Sequence, residues 1–179
     1  LIIFFAGHGD YNDELLDDGF IVCKDSKPIA ADPTRDSYLS FNRMSMIFNK
    51  LPSRQVMVLL DVCFGGTFGD KVVKTMQPDK EVKVNPNEPF VSKKLRLRTR
   101  RFISSGGKNT VPDKDLAPQF GNHSPFAVLL LEALRTKGLN NYLTSSQIYA
   151  MLQDKLPSGP LLGDFGDVQR GSEFVLVGK

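Results

Sequence analysis

Val56-Met57-Val58-Leu59-Leu60-Asp61-Val62-Cys63-Phe64-Gly65-Gly66 is an apolar run that stops at a thiol bracketed by small residues. A second segment, Leu1-Ile2-Ile3-Phe4-Phe5-Ala6-Gly7-His8-Gly9, has the same shape and stops at an imidazole. Short continuous apolar runs ended by such residues read as fully buried strands of the kind found inside parallel sheets. Cys63 follows His8 by 55 positions. If the two strands are parallel neighbours, both reactive groups emerge at one sheet edge, roughly 5 Å apart from strand to strand. A thiol needs a base to become a nucleophile at neutral pH, and histidine is the usual one. The pair therefore reads as the core of a cysteine-nucleophile hydrolase.

The 179 residues suit one domain, or most of one, with a real core. An apolar content of 41% and a charged content of 24% are those of an ordinary globular chain, which excludes global disorder. A net charge of +3 is too small to argue for nucleic acid. Two cysteines make no disulfide framework, and one is wanted as a thiol, so a reducing, cytoplasmic setting is expected. Cys23, in Phe20-Ile21-Val22-Cys23, reads as a buried strand residue. No stretch reaches the roughly 20 apolar residues of a membrane helix. The chain opens in mid-strand, so any targeting segment upstream would not be visible.

Along the chain, Gly19–Lys24 reads as a short strand of a hairpin. Ser40 caps a helix over Phe41–Leu51, with Phe41, Met44, Phe48 and Leu51 on one face and Pro52 ending it. Phe102–Ser104 reads as a third buried strand, followed by a loop to His123. Ser124-Pro125 opens a helix that Gly138 ends, and Thr144 or Ser145 caps another carrying Ile148, Met151, Leu152 and Leu156. Glu173–Val177 closes as a strand. Strands alternating with helices imply an α/β sandwich with a mostly parallel sheet. Residues 77–100 have the composition of an exposed linker running into a basic cluster, Lys93, Lys94, Arg96, Arg98, Arg100 and Arg101. That cluster reads as a solvated edge strand with its arginines facing water, as a protease-accessible processing site, or as a patch for an acidic partner. Interleaved aromatics, which base stacking would want, are missing.

Glycines at 7, 9, 65 and 66 allow tight turns and close approach of a substrate backbone beyond the carboxyl ends of the strands. Thiolate attack on an amide develops an oxyanion, for which the backbone N–H groups of Gly9 and Cys63 are the natural donors. Asp61 shares a strand face with Cys63, where its carboxylate either orients the base or binds a cation on the substrate. His123 reads as closing a loop. Two histidines and two cysteines without ligand spacing give no metal site.

The strand–Gly-His-Gly segment followed by strand–Asp61-x-Cys63-x-Gly65-Gly66 resembles the caspase-like cysteine peptidases, most closely the bacterial and metacaspase-type branch. Asp18-Gly19-Phe20-Ile21, Phe102-Ile103-Ser104-Ser105-Gly106-Gly107, His123-Ser124-Pro125-Phe126 and Gly171–Val177 resemble further family segments. The resemblance implies a caspase-like three-layer sandwich over residues 1–179, with the family's N-terminal strands missing from the chain. Residues 1–76 then resemble the large-subunit part, 77–100 a linker and 101–179 the small-subunit part.

It further implies His8 as general base, Cys63 as nucleophile, Gly9 and Cys63 as oxyanion donors, and Asp61 in a pocket for a substrate Arg or Lys. Asp113 or Asp115 is a candidate second pocket carboxylate. Lys80, Lys83, Lys93 and Lys94 are candidate self-processing sites. Calcium activates some metacaspases, but Asp13, Glu14, Asp17 and Asp18 lack a ligand spacing, so no cofactor is expected. The partners expected are protein or peptide substrates, the missing N-terminal part of the domain, and a second copy through the last strand, with neither nucleic acid nor membrane. Competing readings are a catalytically silent scaffold, a clan peptidase of other specificity such as cleavage after Asn, and a basic interaction module.

Overall fold

The computed structural model describes residues 1–69, 87–107, 123–136 and 141–178. In chain order the strands are β1 (Ile2–Ala6), β2 (Gly9–Asn12), β3 (Asp18–Ile21), β4 (Leu39–Ser40), β5 (Gln55–Asp61), β6 (Thr99–Ser104), β7 (Tyr142–Thr144), β8 (Leu161–Asp164) and β9 (Val175–Val177). The helices are α1 (Phe41–Asn49), α2 (Phe90–Arg96), α3 (Pro125–Arg135) and α4 (Ser145–Gln153). The main sheet has the order β1-β5-β6-β8, with β8 alone antiparallel to its neighbour. β2, β3 and β4 form a second antiparallel sheet, and β7 pairs with β9 in a third.

The apolar run of β5 is continuous because both of its faces are covered. Met57 and Leu59 meet Phe126, Leu129 and Leu130 of α3 and Ile148 and Leu152 of α4. Val56, Val58 and Leu60 meet Phe41 and Met44 of α1, with Phe68, Phe102 and Phe165 completing that cluster. Helices on both sides of a mostly parallel sheet make the three-layer α/β sandwich expected. Local signals set the helix starts. Ser40 accepts the Arg43 N–H at 3.1 Å, Ser124 accepts that of Ala127 at 3.0 Å, and Thr144 forms a reciprocal capping box with Gln147. α1 ends at Asn49, two residues before the expected Leu51; Lys137 and Gly138 lie outside the described residues.

Four expectations need correction. β1 is not fully buried: Ile2 and Phe4 are 42% and 46% exposed, while Ile3 and Phe5 pack inward. It is the edge strand of the described sheet, and α3 and α4 cover β5 and β6 rather than this face. Cys23 is half-buried in a turn after β3, where its N–H is held by the Ser26 hydroxyl at 2.8 Å. Residues 90–96 of the supposed linker form α2, stacked through Phe90 on Tyr142 at 5.2 Å, so Lys93 and Lys94 are helical. Lys94 lies over the Phe90 ring and donates to the Gly171 carbonyl at 2.5 Å.

The basic cluster is also no solvated edge strand. β6 begins at Thr99 and lies between β5 and β8, and Arg100 is 0% exposed. Its guanidinium donates to the carbonyls of Thr99 (2.9 Å), Leu51 (2.9 Å) and Arg54 (3.1 Å). Leu51 lies just past the end of α1, where carbonyls lack helical partners and a cation is favoured. Burial, reinforced by nearby Arg98, lowers the Arg100 pKa to about 10, which still leaves it charged at neutral pH. Removing this side chain strands buried carbonyls, so Arg100→Ala should destabilise the fold by about 3 kcal/mol. Arg101→Ala, which breaks a partly exposed pair with Asp164, should cost under about 1 kcal/mol. Equal urea midpoints for the two variants would refute this assignment.

Candidate active site

The ladder of β1 on β5 runs from Ile2 opposite Met57 to Ala6 opposite Asp61, and continues with the Gly7 N–H on the Asp61 carbonyl at 3.2 Å. His8 and Cys63 each follow two residues after the last pair of this ladder, Ala6 and Asp61. His8 is exposed and Cys63 half-buried. The His8 carbonyl accepts the Val22 N–H at 2.9 Å, which ties the start of β2 to the end of β3.

From there β2 passes against the cysteine. A Cβ built on Gly9 would overlap the Cys63 carbonyl oxygen, so only glycine permits the two backbones to touch. Tyr11 stacks on Phe64 with ring centroids 5.8 Å apart, and its hydroxyl donates to Asp17. Phe64 itself takes a left-handed conformation, φ 60°, which turns the chain sharply after Cys63. The following turn is closed by the Thr67 hydroxyl on the Phe64 carbonyl at 2.9 Å. A Cβ on Gly66 would come within 2.8 Å of the Gly107 Cα, so this turn is wedged against the end of β6. Cys63 and the turn after it are thus held between β2 on one side and Gly107, just past β6, on the other.

Asp61 closes β5, half-buried, and its carboxylate accepts the hydroxyl of Ser124, the cap of α3. That places a carboxylate at the positive end of an 11-residue helix, a favourable arrangement. Beside it in register, Ser105 is 1% exposed with a hydroxyl that makes no hydrogen bond. The sequence marked Ser124 as a cap, but its partner 63 positions away carries no local signal. Tyr11 and Phe64 were likewise unmarked, because their contact depends on where β2 crosses.

His8, Gly9, Asp61 and Cys63 are therefore brought together. Lys93 and Lys94 lie on α2, and His123 is exposed before α3. Asp113, Asp115, Lys80 and Lys83 lie outside the described residues. The acidic group does not act as one unit: Asp18 is buried and accepts the Ser40 hydroxyl at 2.5 Å and the Asn42 N–H at 3.3 Å, fixing the start of α1. Asp13, Glu14 and Asp17 are exposed. Among the described residues no three His, Cys, Asp or Glu side chains are grouped to hold a metal ion, and no helix is long and apolar enough to cross a membrane. A thiol and an imidazole on adjacent strand ends can carry out nucleophilic chemistry in which the ring takes and returns a proton.

The sequence model of the caspase domain matches residues 1–159. No curated protein and no solved structure matches the chain. The contact of Gly9 on Cys63 gives a direct test. Gly9→Ala must push β2 off the cysteine, and such a displacement should lower peptidase turnover about a hundredfold while the circular dichroism of the fold is retained. Unchanged turnover would show that the contact has no bearing on the site.

Proposed function

The chain belongs to the caspase domain family of cysteine peptidases, and from that premise we propose that it is an endopeptidase of metacaspase type that cuts after Arg or Lys through His8 and Cys63. What carries this reading is that His8 and Cys63 each lie two residues past the last pair of the β1–β5 ladder, with Gly9 pressed on the cysteine backbone. In the proposed reaction His8 takes the Cys63 proton and the thiolate attacks the carbonyl carbon of the scissile bond. The resulting oxyanion is received by the Gly9 and Cys63 N–H groups. The imidazolium then gives its proton to the leaving amine, and a water activated by His8 hydrolyses the acyl-enzyme.

Asp61 supplies the preference. A half-buried carboxylate two residues from the nucleophile attracts a cationic side chain and repels an acidic one. Asp113 is proposed as a second carboxylate of the same pocket. Two cysteines with no disulfide between them agree with a reducing, cytoplasmic setting. The burial of Arg100 and the pairing of Arg101 with Asp164 weigh against a basic interaction module.

A panel of fluorogenic peptides differing only at the residue before the cut tests the assignment. Arg and Lys peptides should be cleaved and Asp peptides not. Cys63→Ala and His8→Ala should each lose at least about a thousandfold in kcat, and Asp61→Ala should lose the basic preference. Cleavage after Asp, or residual activity within tenfold of wild type in either of the first two variants, would overturn it.

Self-processing is proposed at Lys80 or Lys83, since Lys93 and Lys94 sit on a helix and a protease engages extended chain. Active enzyme should yield two fragments by mass spectrometry and Cys63→Ala none. A chain that stays whole while cleaving Arg peptides rapidly would show that processing is not required.

A further inference from the structure

We propose that Ser124 is a specificity-determining residue, one that positions the Asp61 carboxylate to receive a cationic side chain. The proposal rests on the basic preference argued above and names the residue that sets it. A serine hydroxyl has one proton to give and two lone pairs to accept with. At Ser124 the Ala127 N–H, which can only donate, takes an acceptor position at 3.0 Å. The proton is then left for Asp61 Oδ2, to which the hydroxyl donates.

The bridge joins two rigid elements. On one side β5 is paired on both edges and buried up to Leu60. On the other, α3 is anchored in the core by Phe126, Leu129, Leu130 and Ala133 directly after its cap. A short carboxylate side chain held between them keeps one orientation before substrate arrives, which lowers the ordering cost of binding. His8 and Cys63 are held by other contacts: the β1–β5 ladder, Gly9, and the turn packed on Gly107. Loss of the Ser124 hydroxyl should therefore weaken capture of the cation while leaving the chemical step largely intact.

Ser124→Gly removes the hydroxyl yet keeps a residue that starts helices well, and Ser124→Thr restores the hydroxyl on the same backbone. Two peptides identical except for Arg or its neutral isostere citrulline before the cut separate binding of charge from everything else. For Ser124→Gly, KM for the Arg peptide should rise about tenfold, the scale of losing a charge-assisted hydrogen bond, with kcat within about threefold. Citrulline kinetics and the rate of Cys63 alkylation by iodoacetamide should not change, and Ser124→Thr should behave as wild type. An Arg-peptide KM within twofold of wild type, or equal kcat losses on both peptides with slower alkylation, overturns the proposal while the basic preference stands. Equal cleavage of Arg and citrulline peptides by the wild-type enzyme overturns the basic preference and the role of Ser124 with it.

Discussion

The parallel pairing of β1 with β5 is the constraint on which the site depends. Five consecutive residue pairs share one offset, and each is fixed by the ladder before it. A slip of a single residue would turn every β1 side chain to the opposite face of the sheet. Ile3 and Phe5 would leave the core shared with α1, and His8 and Cys63 would no longer follow the last pair of the ladder by the same two residues. The hydrogen bonds that keep Ile3 and Phe5 in the core also bring the end of β1 beside the end of β5, and the proposed chemistry depends on that same register.

What surrounds the pair follows from where the strands end. β5 releases the chain at Asp61, and the next residues have to turn within the space left by β2 and by the end of β6. Glycine at 9 and 66 removes side chains at the contacts where backbones meet. Phe64 accepts an unfavourable backbone conformation and has a ring stack and a closed turn to hold it. The left-handed residue directly after the thiol is consistent with strain being kept where geometry matters most.

Much of this was legible because it is local. The apolar runs of β1, β5 and β6, the caps at Ser40, Ser124 and Thr144, and the placing of His8 and Cys63 just past the ends of β1 and β5 all depend on neighbours in sequence or on a simple offset. What escaped depends on distant partners. Arg100 looks like one member of a solvated basic run until the carbonyls of Leu51 and Arg54, between α1 and β5, are in place 46 to 49 positions earlier. Asp18 looks like part of an acidic loop until Ser40 reaches it across 22 positions. Ile2 and Phe4 look buried until the order of the sheet leaves β1 at its edge. Composition told how polar these residues are, whereas their environment was set by topology.

Under the proposed preference for basic residues, the burial of Arg100 takes on another meaning. The chain holds 23 lysines and arginines, and each would then be a candidate cut site for a second copy of the enzyme once it is accessible. A protease grips an extended backbone, and β6 has both edges already bonded, to β5 and to β8, with the guanidinium enclosed. A folded molecule hides this segment from its neighbours, and an opened one presents it. With the proposed specificity, copies that lose their shape would be the first to be cut by those that keep it, and the enzyme population would act as a proofreader of its own conformation.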